Sequence, residues 1–548
     1  MTRKLLSVVL ICSLMITILA ACGGNSGNNS ANNAASNSNT SGNTNTEKDN
    51  NAAPETSAEE NNQYGDTGGL TLPLVDKPTK ITWMLVGEGD ANDKLVKQEI
   101  LKRTGIEVDF QVVSGSTFQD KLRVTLASGK LPDIFHGLKP AELKEIGQQG
   151  AVVAINEYLD MLPNFKRLYI DENPWVIASY GDQNGNIYSW PIYNMNRDVN
   201  HGLMARKDIM DELGIQEWTT TEEFYQALKT MKAAYPNSFP FASKNKEYIF
   251  RDLAYGWGIG GSNYPAYYDE ADGTWKFATI QDAHKEQLDF LKKLYDEKLL
   301  DPEFLTDTPD SWTAKMTTDK SFVTWDWIGR LDLFYNQIKD TNPNYNLRYM
   351  NPVGPTGNIR TLPKIDANFG ITVADNANKE AALKLLDYLT SPSGAELVTL
   401  GVEGVNFNWG TDGKPVYPEL ADVAAVDIKI LEERYGMWLE GMYLAPDRRS
   451  VYYNFTEKEQ EAQDKMLSGN KFEADDPVLN FTDEENSKIA EIQTSLEKAA
   501  AEFNSKYVLD KSYGDKEWEA WKANAAKLGA TEYIEIYNAA QARYDAAN

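Results

Sequence analysis

The chain has very few cysteine and histidine residues. Its 548 residues include 2 Cys and 3 His. Both cysteines, Cys12 and Cys22, lie close to the N-terminus, so the long remainder of the chain has no thiol. Disulfides, cysteine nucleophiles and Cys-ligated zinc are therefore excluded from any folded body that follows. The histidines stand far apart, at positions 136, 201 and 284, and do not have the spacing of metal ligands.

Positive charge is also scarce. The chain carries 54 Lys and Arg against 81 Asp and Glu, a formal net charge of -27 at pH 7. Acidic chains repel polyanions, so we expect no nucleic-acid partner. The phosphate-binding pattern GxxxxGK[ST] does not occur, so the chain cannot itself power transport with a nucleotide. Aromatic residues, in contrast, are plentiful, with 13 Trp and 28 Tyr, and such side chains suit binding surfaces as well as cores.

The N-terminus has the pattern of an exported protein. A basic start, Met1-Thr2-Arg3-Lys4, precedes the apolar run Leu5–Ala21, which is short for a membrane span. This pattern predicts a secretory signal peptide over residues 1–21. The run ends Leu19-Ala20-Ala21-Cys22, which resembles the lipobox of bacterial lipoproteins. The resemblance implies that Cys22 becomes the first residue of the mature chain and carries lipid, including palmitate.

A long polar segment follows the predicted lipidation site. Residues 23–71 are mostly Asn, Ser, Gly, Thr, Ala and Glu, which bury too little apolar surface to offset the entropy of ordering. We therefore predict that residues 22–77 form a disordered, lipid-anchored tether. The folded body is then expected at the cell membrane, on its extracellular face.

The first part of the body alternates strand and helix patterns. Residues 80–86 and 106–113 read as strands, and residues 93–104 between them read as a helix that stops at a glycine. Such a unit predicts a parallel sheet of the α/β class. Ligands of these sheets gather beyond the carboxyl ends of the strands, where Glu88 and Asn92 follow the first strand.

Longer stretches resemble the family 1 extracellular solute-binding proteins of ATP-driven importers. They include ASGKLPDIF, GAVVAINEYLD and, from Asp182 to Ile215, DQNGNIYSWPIYNMNRDVNHGLMARKDIMDELGI. The C-terminal stretch WEAWKANAAKLGATEYIEIYNAAQARYD is similar to the larger LplA-type, oligosaccharide-binding branch. The resemblance implies an α/β, two-lobed fold of the periplasmic-binding-protein kind (type II), with several hinge crossings and a C-terminal helical extension.

That resemblance also gives an expected domain order. Residues 78–195 form the first part of lobe 1, and residues 196–355 the first part of lobe 2. The chain then returns to lobe 1 over residues 356–415. Residues 416–548 complete lobe 2 and supply the C-terminal helices.

Aromatic and polar residues next to the expected crossings predict a sugar site, because sugars present C–H faces and a rim of hydroxyls. We assign Trp83, Trp518 and Trp521 to packing. The candidate ligand-binding residues are Glu88, Asn92, His136, Trp190, Tyr193, Trp257, Trp325, Asp326, Trp327, Arg330 and Trp409.

The segment Asp182-Gln183-Asn184-Gly185-Asn186 has an incomplete calcium motif. An EF-hand loop has Gly at its sixth position and Glu at its twelfth, whereas here Gly185 is fourth and Tyr193 is twelfth. An Asn-Gly hairpin turn explains the same residues. We therefore expect no cofactor, and name Asp182, Asn184 and Asn186 only as candidates for a structural calcium.

Three functions fit these features. The first is a lipoprotein that captures an oligosaccharide and delivers it to an ABC permease, as a monomer without enzymatic activity, on a Gram-positive-type surface. The second is a surface glycoside hydrolase, which needs two carboxylates flanking the scissile bond. The third is a binding protein for peptides or another polar solute.

Overall fold

A computed structural model describes residues 63–547, except 196–197, 361–362, 424–425, 427, 453–455 and 474. The expected signal peptide, Cys22 and most of the expected tether lie outside the described residues. None of the described helices is long and apolar enough to cross a membrane.

The described strands come in chain order. They are β1 (Thr79–Val86), β2 (Ile106–Val113), β3 (Ile134–Phe135), β4 (Trp190–Tyr193), β5 (His201–Arg206), β6 (Phe241–Ala242), β7 (Ala266–Asp269), β8 (Thr274–Phe277), β9 (Val323–Trp327), β10 (Leu347–Tyr349), β11 (Ile359–Arg360), β12 (Ile365–Val373), β13 (Asn408–Trp409), β14 (Pro415–Val416) and β15 (Phe472–Glu473).

Helices cover the sheets and form the C-terminal part. They are α1 (Leu95–Thr104), α2 (Phe118–Ser128), α3 (Pro140–Gln148), α4 (Pro163–Lys166), α5 (Trp175–Tyr180), α6 (Lys207–Glu212), α7 (Thr221–Ala234), α8 (Tyr248–Ala254), α9 (Asp282–Asp296), α10 (Pro309–Thr317), α11 (Arg330–Ile338), α12 (Lys379–Thr390), α13 (Pro392–Thr399), α14 (Ile428–Tyr435), α15 (Arg448–Tyr452), α16 (Glu457–Gly469), α17 (Asp483–Leu509), α18 (Asp515–Lys527) and α19 (Ala530–Ala547).

Lobe 1 is built on a five-stranded sheet in the order β2-β1-β3-β12-β4. The predicted strand–helix–strand unit is confirmed: β1 and β2 pair in parallel, with Thr79 opposite Ile106. Helix α1 lies between them and ends at Gly105. Its φ of 74° is a left-handed backbone conformation that glycine adopts at little cost in free energy. Trp83 of β1 is fully buried, which confirms its assignment to the core.

Lobe 2 is built on a four-stranded sheet in the order β10-β5-β9-β6. Strand β9 pairs antiparallel with β5 and parallel with β6. Helices α17, α18 and α19 add a layer to this lobe. Trp518 and Trp521 are 2% and 3% exposed, which confirms their packing role, and Trp521 Nε1 donates to the Thr279 carbonyl at 2.7 Å.

The hydrophobic cores show where the chain changes lobe. One core contains residues from Val199 to Ile359 and from Ala462 onward, and the other contains residues up to Ile192 and from Ile365 to Leu444. The chain therefore passes between lobes after β4, after β11 and after Leu444. The expected boundary at residue 416 is displaced: Tyr417, Leu431 and Met442 pack in the core of lobe 1 rather than lobe 2. These apolar side chains follow the hairpin β13–β14 and cover the same sheet.

The C-terminal layer of lobe 2 also contacts lobe 1. Asn480 Nδ2 donates to the carbonyls of Ala178 and Gly181, at 3.1 and 2.8 Å. Its Oδ1 accepts a hydrogen bond from Lys144 Nζ at 2.7 Å. A single amide thus connects the segment before α17 to two parts of lobe 1.

The last residues of the expected tether are ordered against lobe 1. Leu74 is 7% exposed, and its backbone N–H donates to the Thr104 carbonyl at 2.9 Å. The Tyr64 carbonyl accepts from Ser393 Oγ at 2.6 Å. The prediction of disorder over residues 22–77 was therefore wrong for residues 63–77. This end of the segment carries apolar side chains that the Asn- and Ser-rich part lacks.

We expect Leu74→Ala to lower the free energy of unfolding by about 2–5 kcal/mol, because it leaves a cavity beneath lobe 1. Chemical denaturation measures the change. The matched control is Leu101→Ala on α1, where the side chain is 42% exposed and the expected loss is about 0.5 kcal/mol. Equal losses from the two variants would contradict the packing of this segment.

Two buried histidines predict a pH-dependent stability. Burial lowers the pKa of His136 and of His284 to about 4. An unfolded histidine titrates near 6.5, so between these values the unfolded chain binds more protons, and the free energy of unfolding falls as the pH is lowered. At pH 5 we expect each histidine to cost about 2 kcal/mol relative to neutral pH.

Denaturation at pH 7 and pH 5 tests this expectation. His136→Asn or His284→Asn should each reduce the difference between the two pH values by about 2 kcal/mol. A pH dependence that is unchanged in both variants contradicts it.

Candidate functional site

The carboxyl ends of β1, β2, β3 and β4 lie at one edge of the lobe 1 sheet, where ligands of α/β sheets bind. Glu88 is exposed at this edge, and its side chain accepts from Ser114 Oγ at 3.0 Å. Its backbone N–H donates to Glu432 Oε1 at 2.6 Å. Tyr193 is half-buried, with Lys364 Nζ 5.0 Å from its ring centroid. This edge therefore offers acceptors, donors and one aromatic ring.

The corresponding edge of the lobe 2 sheet carries an exposed indole. Strands β6 and β9 are parallel and β5 is antiparallel to them, so the ends of β6 and β9 lie beside the start of β5. Trp327 ends β9 and is 49% exposed. The ring of His201, at the start of β5, lies 4.0 Å from it between centroids. Trp325 points to the same side of the strand but is covered, and Trp327 is free because it ends the strand.

A buried carboxylate holds two cations beneath Trp327. The Asp326 side chain is 1% exposed and forms ion pairs with Lys244 and with Arg330, whose Nε is 3.4 Å from Asp326 Oδ1. Asp326 Oδ1 also accepts the Trp327 backbone N–H at 2.7 Å. Lys244 Nζ and Arg330 Cζ lie 4.9 and 6.0 Å from the ring centroid of Trp312. Packing, charge and the aromatic ring together fix both cations at this edge.

Three of the predicted site residues, Asp326, Trp327 and Arg330, are thus brought together in lobe 2. Glu88 and Tyr193 lie at the edge of lobe 1. Trp409 is half-buried in the hairpin β13–β14, with the guanidinium carbon of Arg449 4.5 Å from its ring centroid. It therefore lies beside the third passage between the lobes.

Three predicted tryptophans are core residues instead. Trp190 is fully buried and donates from Nε1 to Thr390 Oγ1 at 3.1 Å. Trp257 and Trp325 are each 5% exposed, and Trp257 packs 5.7 Å from Phe290 between ring centroids. A ligand cannot stack on these rings in this conformation. Proximity in sequence to a crossing or to a glycine-rich loop does not decide which way an indole points.

His136 is also enclosed. It is 2% exposed and stacks on Phe118 with 4.6 Å between ring centroids. Gly441 covers the other side, where a Cβ would lie 2.6 Å from His136 Cδ2. The side chain follows a strand end as predicted, but lobe 1 covers it.

Asn92 has a structural role in its loop. Its Oδ1 accepts the Phe110 backbone N–H at 3.0 Å, and its Nδ2 donates to the Phe110 carbonyl at 2.8 Å. Lys97 Nζ donates to the same Oδ1 at 2.9 Å. The amide therefore ties the loop after β1 to β2 and has little capacity left for a ligand.

Tyr248 is an aromatic residue that the sequence analysis did not select. It is 61% exposed, and together with Trp327 it makes up the exposed large aromatics of the described chain. It begins α8 after β6, the strand next to β9, so both rings follow adjacent parallel strands. Arg251 Cζ lies 4.7 Å from its ring centroid. The strand order, which the sequence does not show, is what makes the strands before these two aromatics adjacent.

The calcium candidates form a turn closed by the protein itself. Asp182 Oδ1 accepts the backbone N–H groups of Asn184 and Asn186, at 2.8 and 2.9 Å. Asp182 Oδ2 accepts the Tyr188 hydroxyl at 3.2 Å. Calcium takes six to eight oxygens, and the loop supplies one carboxylate. Across the described ranges no cluster of three His, Cys, Asp or Glu residues is placed to hold a metal. The loop thus offers part of a calcium donor set.

A space of about 750 Å³ lies along α16, and none of the candidate ligand-binding residues lines it. Lys414 of the hairpin β13–β14 lines it from lobe 1, and Glu457, Glu461 and Asp464 of α16 line it from lobe 2. Lys458 of the same helix donates from Nζ to the Leu331 carbonyl at 3.1 Å, so α16 begins beside the start of α11. The volume is in the range of small-molecule sites.

Comparisons with known proteins agree with this architecture. A fructooligosaccharide ABC transporter substrate-binding protein, FusA from Streptococcus pneumoniae serotype 4, is 25% identical over 519 residues, covering 85% of this chain and 91% of its own. The polygalacturonan/rhamnogalacturonan-binding protein YtcQ of Bacillus subtilis is 23% identical, with 85% and 93% covered.

A solved structure shows the same fold. The extracellular solute-binding protein from Bifidobacterium longum subsp. infantis superposes with a TM-score of 0.66 at 19% identity, covering 86% of this chain and 98% of that one. The profile of the family described as bacterial extracellular solute-binding protein matches residues 87–396, more than half of the chain. The two-lobed chain is therefore a member of the bacterial extracellular solute-binding proteins.

Proposed function

We propose that this protein captures an oligosaccharide between its two lobes outside the cell and delivers it to an ABC permease. It performs no chemistry on the ligand. Energy for transport comes from a separate ATPase. The proposed ligand-binding residues are Trp327, Arg330 and Asp326 of lobe 2 with Glu88, Tyr193 and Trp409 of lobe 1, and Tyr248 joins them.

The half-exposed ring of Trp327 carries this proposal. A soluble protein keeps few large aromatics at its surface without a reason, and this one ends a strand where α/β sheets bind ligands. A planar indole suits the C–H face of a sugar, and the neighbouring charged groups suit its hydroxyls. The named ligands of FusA and YtcQ are both glycans, which supports the same class of ligand here.

Lobe closure supplies the switch. A ligand that contacts both edges binds the closed arrangement more tightly than the open one, and so shifts the population toward it. Arg448 lies where such a movement would be coupled: it donates to the Asn194 carbonyl and to Asp198 Oδ2, each at 3.0 Å. These contacts join the third passage between the lobes to the first.

The same proposal includes the membrane anchor. Lipidation at Cys22 holds the protein at the extracellular face of the cell membrane, where a monomer reaches its permease on a tether. A related lipoprotein, LipO of Bacillus subtilis, is 23% identical over 490 residues, which supports this location.

Trp327→Ala should weaken binding of the preferred oligosaccharide by roughly 30-fold, since loss of a stacking tryptophan at a binding site typically costs about 2 kcal/mol. Isothermal calorimetry against a panel of neutral and acidic oligosaccharides measures it. The matched control is Tyr158→Ala, a half-buried aromatic next to Lys379 at the opposite edge of the lobe 1 sheet. The affinity of Tyr158→Ala for the oligosaccharide should equal that of the unsubstituted protein.

Three outcomes oppose the proposal. Unchanged affinity in Trp327→Ala removes the indole from the site. Binding of peptides but of no glycan replaces the ligand class. New reducing ends that appear when a bound glycan is incubated with the protein show that it is a hydrolase.

The anchor is tested in cells. Cys22→Ala should release the protein from the membrane fraction into the medium, measured by immunoblot after fractionation, because no thiol remains for lipid at the cleavage site. Cys12→Ala lies in the apolar run and is the matched control, with no expected release. Retention of Cys22→Ala in the membrane would show that something other than lipid holds the protein.

A further inference from the structure

Arg330 has hydrogen-bond donors that the protein does not use. Its side chain is 18% exposed, and its Nε is buried without a hydrogen-bond partner. Asp326 is its nearest acidic neighbour, at 3.4 Å. Within the part of the chain that the structure describes, no nitrogen of this guanidinium donates a hydrogen bond. The buried Nε faces Asp326, so an acceptor from outside has to pair with the terminal nitrogens Nη1 and Nη2.

Two more deeply buried arginines donate hydrogen bonds to protein groups. Arg206, 1% exposed, donates to both carboxylate oxygens of Asp208 and to Asp319. Arg103 donates to Glu99 and to the Tyr388 hydroxyl. Arg330 differs from these two described arginines, because no protein group accepts a hydrogen bond from it.

Charge at the lobe 2 edge is also unbalanced. Lys244 lies against Asp326 and has a second polar contact, to Asn245 Oδ1 at 3.3 Å. One buried carboxylate thus faces two cations, and the ammonium of Lys244 already neutralises it. Among the described residues Arg330 forms no second ion pair, and a further carboxylate near the start of α11 is that of Glu459, whose Oε1 lies 4.0 Å from the position of a Cβ on Gly329. The nearby N-terminal end of α11 adds to the positive potential.

We propose that the oligosaccharide bound by this protein is acidic and that a uronic-acid carboxylate pairs with Arg330. This inference rests on the proposed function and names its substrate class. A guanidinium binds a carboxylate through two parallel, charge-assisted hydrogen bonds, which are stronger than bonds to sugar hydroxyls. Trp327, three residues before Arg330 in the sequence, supplies the face on which the same sugar ring stacks.

The net charge of -27 does not oppose an acidic ligand. At physiological salt, charges separated by more than about 8–10 Å are largely screened. The local pair of cations at the edge of lobe 2 therefore governs the contact. The buried Asp326 keeps both cations in place without cancelling the second one.

The experiment compares matched acidic and neutral ligands. Calorimetry with the full-length protein in detergent uses trimers of galacturonate, mannuronate and glucuronate, and the methyl ester of each. The ester keeps the sugar and the linkage but removes the charge. We expect one acid to bind and its ester to bind roughly 30-fold more weakly.

Variants assign the effect to Arg330. Arg330→Gln should weaken binding of the acid by roughly 30-fold and binding of the ester by much less, and the acid affinity of Arg330→Lys, which keeps the charge but not the two parallel N–H donors, should lie between those of Arg330→Gln and the unsubstituted protein. Arg167→Gln, a half-exposed arginine of lobe 1 paired with Glu172, should change neither. Thermal unfolding checks that each variant is folded.

The outcomes are distinguishable. Equal affinity for acid and ester, or tight binding of a neutral fructo- or galacto-oligosaccharide with no binding of the acids, overturns the inference and leaves the proposed function intact. Binding of no glycan at all overturns both. The comparison of acid and ester in the unsubstituted protein decides the matter even where Arg330→Gln does not fold.

Discussion

The structure depends on one constraint: parallel strands gather their carboxyl ends at a single edge of a sheet. In lobe 1 this places residues from β1, β2 and β4 side by side although they are far apart in sequence. In lobe 2 it places the residues after β6 beside those after β9, and the antiparallel β5 adds its first residue. Each lobe thereby presents one edge at which residues of the proposed site lie.

The chemistry of lobe 2 follows from burial at that edge. Asp326 is buried because helices cover both faces of the sheet and exclude water from them. A dry carboxylate needs cations, and Lys244 and Arg330 provide them. These ion pairs hold both cations near the end of β9, the strand that Trp327 terminates.

Local patterns in the sequence were sufficient for local structure. The alternation in β1 placed Trp83 in the core, Gly105 ended α1, and the order of motifs indicated two lobes. These patterns were insufficient to predict the direction in which a side chain points. Trp190 and Trp327 both lie at strand positions near a lobe crossing, yet one is buried and the other exposed, because covering helices extend over the first and not the second.

Long-range placement explains the remaining differences. Tyr248 and Trp327 are 79 residues apart, and they follow or end strands that the pairing of β6 with β9 places side by side. The enclosure of His136 depends on Gly441, which lies in a part of the chain that returns to lobe 1 after lobe 2 is begun. The composition of residues 63–77 predicts a tether until leucines appear in the sequence. Those leucines pack against the hydrophobic core of lobe 1. A short stretch of sequence does not show these long-range contacts.

The packing of Tyr64 and Leu74 on lobe 1 has a mechanical consequence. Tension on the N-terminal segment is transmitted to lobe 1 first, through the Tyr64 carbonyl, the Arg103 guanidinium 4.9 Å from the Tyr64 ring, and the buried Leu74. Lobe 2 receives such a load through lobe 1, by way of the chain passages after β4, β11 and Leu444 and the hydrogen bonds of Asn480.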